Sequence, residues 1–224
     1  MTRTTTTLRF AVLITCACGF LDAYTYLARG GVFANAQTGN MILFALGLAD
    51  RNWGEASQHL WAILAFLVGV ALSSHIKSGR LDAPLHYPMR WTMAAQAVVL
   101  AVLGFVPATV NPTFVNVPIS FVTAMLIGLF RNVGELTYIA VATTGNLMRL
   151  VENSYSALAD RDAKAKSAVR VYLVIVSAFL GGAIVGGFTT HEFGVRAIWL
   201  PSAFLAVTLA LFIADGRTNR TENP

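Results

Sequence analysis

The residues of this chain that could do chemistry are a few polar side chains within long apolar runs. The tripeptide Thr-Gly-Asn occurs twice, at Thr38, Gly39 and Asn40 and again at Thr144, Gly145 and Asn146. Glycine permits backbone conformations that other residues avoid, and it lets a helix or a solute approach the backbone. Threonine is a good N-cap, and asparagine offers both a donor and an acceptor. Each motif therefore suits a break at the start of a half-helix, where free N–H groups favour anions.

The repeated motif has a second explanation, in which it only holds helices together. Thr and Asn side chains hydrogen-bond neighbouring helices in a bilayer, and small residues let the backbones approach. Asn35 and Gln37 precede the first motif and would share its cavity if the motif lines one. Both explanations stay open from the residues alone.

Asp22 is the most informative single residue, because it lies inside the first apolar run. A carboxylate within a membrane is costly unless it is paired or functional. It could couple proton movement or balance the charge of a substrate, or instead cap a kink or pair with Arg29. The internal repeat described below aligns Asp22 with Arg131, and Asn132 and Glu135 follow closely. Arg131 and Glu135 are four residues apart and could simply pair with each other on a helix.

The composition indicates that these residues belong to a membrane protein. Of the 224 residues, 56% are hydrophobic and only 12% are charged, whereas a soluble domain has roughly a quarter charged residues. The net charge of +5 is not clustered with aromatic residues, so nucleic acid is not an expected partner. Lysine and arginine instead lie between apolar runs, as in loops that stay in the cytoplasm.

Sequence motifs of catalysis and metal binding are missing from the chain. It contains no His-Glu-x-x-His, Cys-x-x-Cys, Gly-x-Ser-x-Gly, Walker or dinucleotide-binding pattern. The two cysteines, Cys16 and Cys18, lie two positions apart and would face different directions on a helix. We therefore expect no catalytic residue, no metal and no cofactor, and we do not expect an enzyme.

Six apolar runs are long enough to cross the membrane, which takes about 20 helical residues. They are Leu8–Ala28, His59–Ile76, Trp91–Pro107, Thr113–Phe130, Val169–Thr189 and Ala197–Ala214. Two shorter stretches, Gly31–Ala49 and Tyr138–Met148, carry the Thr-Gly-Asn motifs and are predicted to be broken or re-entrant half-helices. If neither crosses, most Lys and Arg residues lie on one side, which places both termini in the cytoplasm.

The chain also contains an internal repeat. Three pairs align at offsets of 109, 106 and 108 residues: Gly19 with Gly128, Thr38 with Thr144, and Trp91 with Trp199. Three crossings per copy is an odd number, so the second copy must be upside down relative to the first. The predicted fold is an all-α membrane protein with a 3+3 inverted-topology repeat, residues 1–110 and 111–224 together forming one integral membrane domain. Many secondary transporters are built in this way.

The stretch from Gly19 to Ala23, together with Val32 to Asn40, resembles the YoaK-like family, bacterial membrane proteins classed as domain of unknown function 1275. The resemblance extends through the second Thr-Gly-Asn motif and the glycines at 181–187. It implies an integral membrane protein of about this length, without an established activity. Family members usually carry Gln where this chain has Arg131, so the resemblance assigns no role to that position.

The functional hypothesis is a small secondary transporter or permease in the bacterial inner membrane. Its predicted substrate-binding residues are Asp22, Asn35, Gln37, Thr38, Gly39, Asn40, Arg131, Asn132, Thr144, Gly145 and Asn146. The expected partners are the lipid bilayer and a small polar solute or ion, with a weak preference for an anion at the half-helix ends. A homodimer is plausible because each half is small. The alternative is a non-transporting scaffold or regulatory subunit, and a membrane-embedded enzyme ranks third.

Overall fold

The computed structural model describes residues 7–78, 88–130 and 132–221, without the side chains of residues 88, 89 and 215–221. Within these ranges the chain forms eight α-helices and one two-stranded hairpin. In chain order the helices are α1 (Leu8–Ala28), α2 (Gln37–Ala49), α3 (Trp53–Lys77), α4 (Pro88–Leu103), α5 (Thr113–Leu129), α6 (Thr143–Ala159), α7 (Ala163–Phe193) and α8 (Trp199–Thr221). Strands β1 (Asn132–Val133) and β2 (Leu136–Thr137) lie between α5 and α6, and the 3-10 turn Gly194–Ile198 joins α7 to α8.

Several of these helices are long and apolar enough to cross a membrane. Three described stretches meet that criterion: Leu8–Ala28, Trp53–Lys77 and the continuous stretch Ala163–Ala214, which covers two of the predicted spans. Arg90–Leu103 and Thr113–Leu129 are apolar but shorter. These lengths and compositions indicate a membrane protein, whose exposed large apolar side chains a bilayer would cover.

The two short segments differ from their predicted bounds. α2 begins at Gln37, so the residues from Gly31 onward form a connection and not a helix. α6 begins at Thr143 and continues to Ala159, well beyond the predicted end at Met148. The apolar run stops at Arg149, but the helix continues because its polar residues lie on one side and leave an apolar stripe. Leu147, Val151, Tyr155 and Leu158 form that exposed stripe.

The helices pair in a pattern that links the two halves of the sequence. α1 packs most extensively against α7, and α3 packs against α5. α2 packs on α3, and α6 packs on α7. α4 contacts both α5 and α8, and α8 in turn contacts α1. The core therefore lies between α1, α5, α7 and α8, with Phe20, Tyr24 and Leu126 among its fully buried side chains.

Glycines bring the paired helices to backbone distance. A Cβ on Gly186 of α7 would lie 2.7 Å from the carbonyl oxygen of Phe20, and one on Gly182 would meet the backbone of Cys16. A Cβ on Gly69 of α3 would lie 2.8 Å from Ala124 of α5. Along α1 and α7 the contacts advance in the same direction, from Cys16 and Gly182 to Phe20 and Gly186. α1 and α7 therefore run parallel and pack at close range, as membrane helices with small residues at their interface do.

Arg29 fixes the end of α1 to the connection that follows α4. Its side chain is 1% exposed, and the guanidinium donates to the carbonyls of Val106 at 2.8 Å and Pro107 at 3.1 Å. Its Nε also donates to the Tyr24 hydroxyl at 3.0 Å. The carbonyls at the end of a helix favour a cation. Arg29 is therefore held by these groups, and it does not form the pair with Asp22 that the sequence left open.

Candidate functional site

The connection between α1 and α2 folds back along α1. The Ala34 N–H donates to Thr25 Oγ1 at 3.1 Å, and the Asn35 side-chain nitrogen donates to the Cys18 carbonyl at 3.1 Å. Cys18 precedes Ala28, the last residue of α1, by ten positions, which is about 15 Å along the helix axis. The start of α2 therefore lies about halfway along α1.

Asp22 holds the same connection through one of its two carboxyl oxygens. Oδ1 accepts the N–H of Asn35 at 2.7 Å and the N–H of Ala36 at 3.4 Å. The side chain is 5% exposed, and Oδ2 has no hydrogen-bond partner within the described part of the chain. Ala36 is the N-cap of α2, so the Asp22 carboxyl lies beside the positive end of that helix dipole.

The first Thr-Gly-Asn motif locks the start of α2 through Asn40. The Asn40 side-chain nitrogen donates to the Phe33 carbonyl at 2.8 Å and to Gln37 Oε1 at 3.0 Å. Its Oδ1 accepts the Phe33 N–H at 3.0 Å and lies 3.3 Å from His59 Nδ1. Gln37 also donates to the Ala34 carbonyl at 3.3 Å. The amide of Asn40 is thus fully used within the protein.

The second motif repeats part of this arrangement at the start of α6. The Asn146 side-chain nitrogen donates to the Ile139 carbonyl at 2.8 Å, seven residues upstream, as Asn40 does to Phe33. Asn146 Oδ1 is buried and meets no partner among residues 7–78, 88–130 and 132–221. In both motifs the asparagine is buried, whereas Thr38 and Thr144 are exposed.

The two motif glycines differ in their surroundings. A Cβ on Gly39 would lie 2.7 Å from the Phe33 ring, so this position has no room for a side chain. A Cβ on Gly145 would meet nothing within 4 Å. Close packing therefore requires glycine in the first motif only.

Asn132 lies in the β1–β2 hairpin, directly after the predicted span Thr113–Phe130. It pairs with Thr137, and Gly134 occupies the turn with a φ of +58°. The Thr137 carbonyl accepts hydrogen bonds from Arg149 at 2.7 Å and from the Tyr172 hydroxyl at 3.0 Å, which fix the hairpin to α6 and α7. The signal for this hairpin is Gly134 at the first position of a two-residue turn.

The structure brings part of the predicted site together. Asp22, Asn35, Gln37 and Asn40 meet at the start of α2, whereas Asn146 lies at the start of α6. Within the described residues no hydrogen bond joins the two groups. Arg131 lies outside the described residues.

His59 is a residue that the sequence did not suggest for the site. The sequence placed it at the end of a span, but it is 1% exposed within α3 and faces Asn40. A signal that could have identified it is the N-cap Asn52, followed three residues later by Glu55, which starts α3 six residues earlier than predicted and places His59 inside the helix.

A pocket of about 590 Å³ lies at the ends of α1 and α7, away from both motifs. It is lined in part by Leu27, Thr190, His191 and Arg196. None of the predicted site residues lines this pocket. The pocket is therefore separate from the predicted substrate-binding site.

The fold and site define a class: helical membrane proteins with buried polar side chains where two helices start. Residues 10–211 match the family described as "Protein of unknown function (DUF1275)". The chain belongs to that family, which confirms the resemblance seen in its first motif. No curated protein and no solved structure matches the chain.

Proposed function

We propose that this protein is a small, non-enzymatic secondary transporter or permease for a polar solute in the inner membrane. The observation that carries the proposal is the buried cluster of Asp22, Asn35 and Asn40 about halfway along a helix of membrane length. A carboxyl and amides at that depth are costly unless they are paired or serve a function, and Asp22 Oδ2 and Asn35 Oδ1 have no partner among the described residues. A broken backbone there is tolerated where protein buries it or where it lines a wet cavity.

The helix contacts support an inverted repeat of residues 1–110 and 111–224. If α1 corresponds to α5, α2 to α6, α3 to α7 and α4 to α8, the α1–α7 contact corresponds to α5–α3. In the same way, α2–α3 corresponds to α6–α7, α8–α1 corresponds to α4–α5, and α4–α8 maps onto itself. The aligned glycines Gly19 and Gly128 both lie at close helix contacts. A two-fold axis within the membrane plane accounts for each of these matches.

The ends of the helices support six crossings with two re-entrant segments. At one face, Arg29 contacts the carbonyls that follow α4, and a Cβ on Gly30 would lie 3.0 Å from Gln58 and 3.1 Å from Pro112. The end of α1 is thus close to the starts of α3 and α5. α2 begins halfway along α1 and ends shortly before α3, so it returns to the face that α1 has just reached.

The opposite face carries the start of α1. The Phe10 ring lies 4.9 Å from the Phe130 ring and 6.2 Å from the Phe212 ring, centroid to centroid, which brings the end of α5 and the later part of α8 to this face. α6 ends shortly before α7, which runs parallel to α1 and so starts here. In the proposed topology α6 mirrors α2 from the other side, and the distribution of Lys and Arg favours the cytoplasm for this face.

A non-transporting scaffold or regulatory subunit is the second candidate, and one observation favours it. Asn40 and Asn146 both donate to backbone carbonyls seven residues upstream. These bonds hold the two connections in place whether or not a solute binds. The two functions differ in whether the remaining polar atoms of the cluster meet a ligand.

A thermal-shift screen of the purified protein against metabolites and ions tests the proposal. Asp22→Asn and Asn40→Ala run in parallel, with Ser120→Ala as a control that removes a buried hydroxyl outside the cluster. A solute that stabilises the parent and the control but not the two cluster variants supports a binding site. The same solute must then enter proteoliposomes that contain the parent protein. If no compound binds and the cluster variants only melt earlier, the scaffold function replaces the transporter.

A further inference from the structure

We infer that the group bound at Asp22 is a small protonated amine, either ammonium or a primary alkylammonium, and not an anion. The inference rests on the proposed function and names the chemical class that its site accepts. It is based on which side-chain atoms remain free in the buried cluster.

The free atoms beside α2 are hydrogen-bond acceptors. Asp22 Oδ2 and Asn35 Oδ1 are both buried, and neither has a partner in the described ranges. The two residues are joined by the 2.7 Å bond from the Asn35 N–H to Asp22 Oδ1. The orientation of the Asn35 amide is fixed because its nitrogen donates to the Cys18 carbonyl, which can only accept. The atom left over is therefore the amide oxygen.

A free amide oxygen also remains at the second break, which is the start of α6. The Asn146 nitrogen donates to the Ile139 carbonyl, so its Oδ1 is the atom left free. At each break one asparagine, Asn35 or Asn146, donates its side-chain N–H to a backbone carbonyl and retains a free oxygen. An alkylammonium group carries three donors and no acceptor, which matches this set of atoms.

An anion is disfavoured at α2 because the protein already places a carboxyl group there. The Asp22 carboxyl accepts the N–H groups of Asn35 and Ala36, directly before the first residue of α2. It therefore occupies the place where the helix dipole would attract a negative group. A second anion there would be repelled by the carboxylate, and most strongly at low dielectric.

A divalent metal ion also fits poorly. The described residues contain no group of three or more His, Cys, Asp or Glu side chains that could hold a metal. Asp22 is the only buried acidic residue in the described part of the chain. Calcium takes six to eight oxygen ligands and magnesium demands an octahedron, whereas only two free acceptors, Asp22 Oδ2 and Asn35 Oδ1, lie beside α2 in the described part of the chain.

The experiment measures ligand binding to the full chain in lipid nanodiscs by thermal shift. Ammonium chloride and methylammonium chloride are compared with sodium chloride and sodium acetate at equal ionic strength. We expect both amine salts, or one of them, to raise the melting temperature of the parent and of Ser120→Ala. Asp22→Asn keeps the acceptor for the Asn35 N–H but replaces Oδ2 by an amide nitrogen. It should bind the amine at least tenfold more weakly.

The outcomes separate this inference from the proposed function. If an amine binds the parent but is not carried into proteoliposomes, the inference holds and the transport function is wrong. If acetate stabilises the parent and amines do not, the inference is wrong. The proposed transport function would still stand if proteoliposomes with the parent protein take up acetate and those with the cluster variants do not. Equal amine binding by the parent and Asp22→Asn also contradicts the inference. Amine binding by Arg131→Gln but not by the parent would contradict it as well. In that case the Arg131 guanidinium of the parent would occupy the free oxygens of Asp22 and Asn35.

Discussion

Replacing Gly182 by alanine perturbs the close contact between α1 and α7. The new Cβ would lie 2.8 Å from the carbonyl carbon of Cys16 and 2.9 Å from its Cα. These are backbone atoms, which cannot rotate away as a flexible side chain can, so the two helices must separate. The neighbouring Gly181 is a matched control, because a Cβ there would meet nothing within 4 Å.

The expected magnitude follows from two opposing effects. Alanine in place of glycine inside a helix stabilises it by about 0.5–1 kcal/mol, and both variants gain this. Overpacking at a tight contact costs about 1–3 kcal/mol, and only Gly182→Ala meets this cost. The difference between the two variants is therefore the steric cost alone. For a chain of this size, about 1–3 kcal/mol corresponds to a difference of roughly 2–12 °C in melting temperature.

The assay is thermal unfolding of the purified protein in detergent, followed by intrinsic fluorescence and by recovery of the monodisperse peak in gel filtration. Gly181→Ala should melt at or above the parent temperature, and Gly182→Ala should melt clearly below Gly181→Ala. The pair Gly186→Ala and Gly187→Ala repeats the comparison one turn further along, with the first of the two again in close contact. Equal melting temperatures within both pairs would refute the reasoning, since they would mean that α1 and α7 do not touch at backbone distance.

Three further predictions concern the connections and the topology. Asn40→Ala should lower the melting temperature more than Asn146→Ala. Among the described residues the Asn40 amide takes part in four hydrogen bonds and the Asn146 amide in one, each worth about 0.5–1.5 kcal/mol. Equal losses would contradict this ranking. Arg29→Lys should destabilise the protein by about 1.5–3 kcal/mol, because one ammonium cannot replace the fork of guanidinium donors; an unchanged melting curve would show that the fork is not needed. In a background without native cysteines, a membrane-impermeant maleimide added to intact cells should label a cysteine at Asp50 and not one at Ser78. The reverse result would overturn the proposed topology.

The fold was predictable where a long apolar run ends at a clear signal. α1 begins and ends at the residues expected from the sequence, and the Thr7 hydroxyl before it accepts the N–H of Phe10 as an N-cap. α6 was predicted too short because only its apolar run was counted, whereas the helix continues through residues whose polar side chains lie on one side. The hairpin that contains Asn132 was missed for a related reason. A turn of only two residues cannot be recognised from the hydrophobicity of the sequence alone.

The candidate site was predictable in its residue types but not in its geometry. The sequence identifies Asp22 and Asn40 as costly polar residues within apolar runs, which is a local property. That the chain folds back so that Asp22 accepts N–H groups from Asn35 and Ala36 depends on how the connection packs against α1. His59 reaches Asn40 from another helix. Contacts of this kind depend on tertiary packing, and local propensity carries no information about them.

The exchange of partners between the halves has a consequence for the synthesis of the protein. The most extensive contact of α1 is with α7, and that of α3 is with α5, so both early helices find their main partner in the second half. When the ribosome has completed only the first half, Gly19 and Gly69 have no backbone to pack against. The half-made chain must therefore persist in the bilayer with its tightest contacts unformed. These contacts form only when α7 has been inserted and both halves close together.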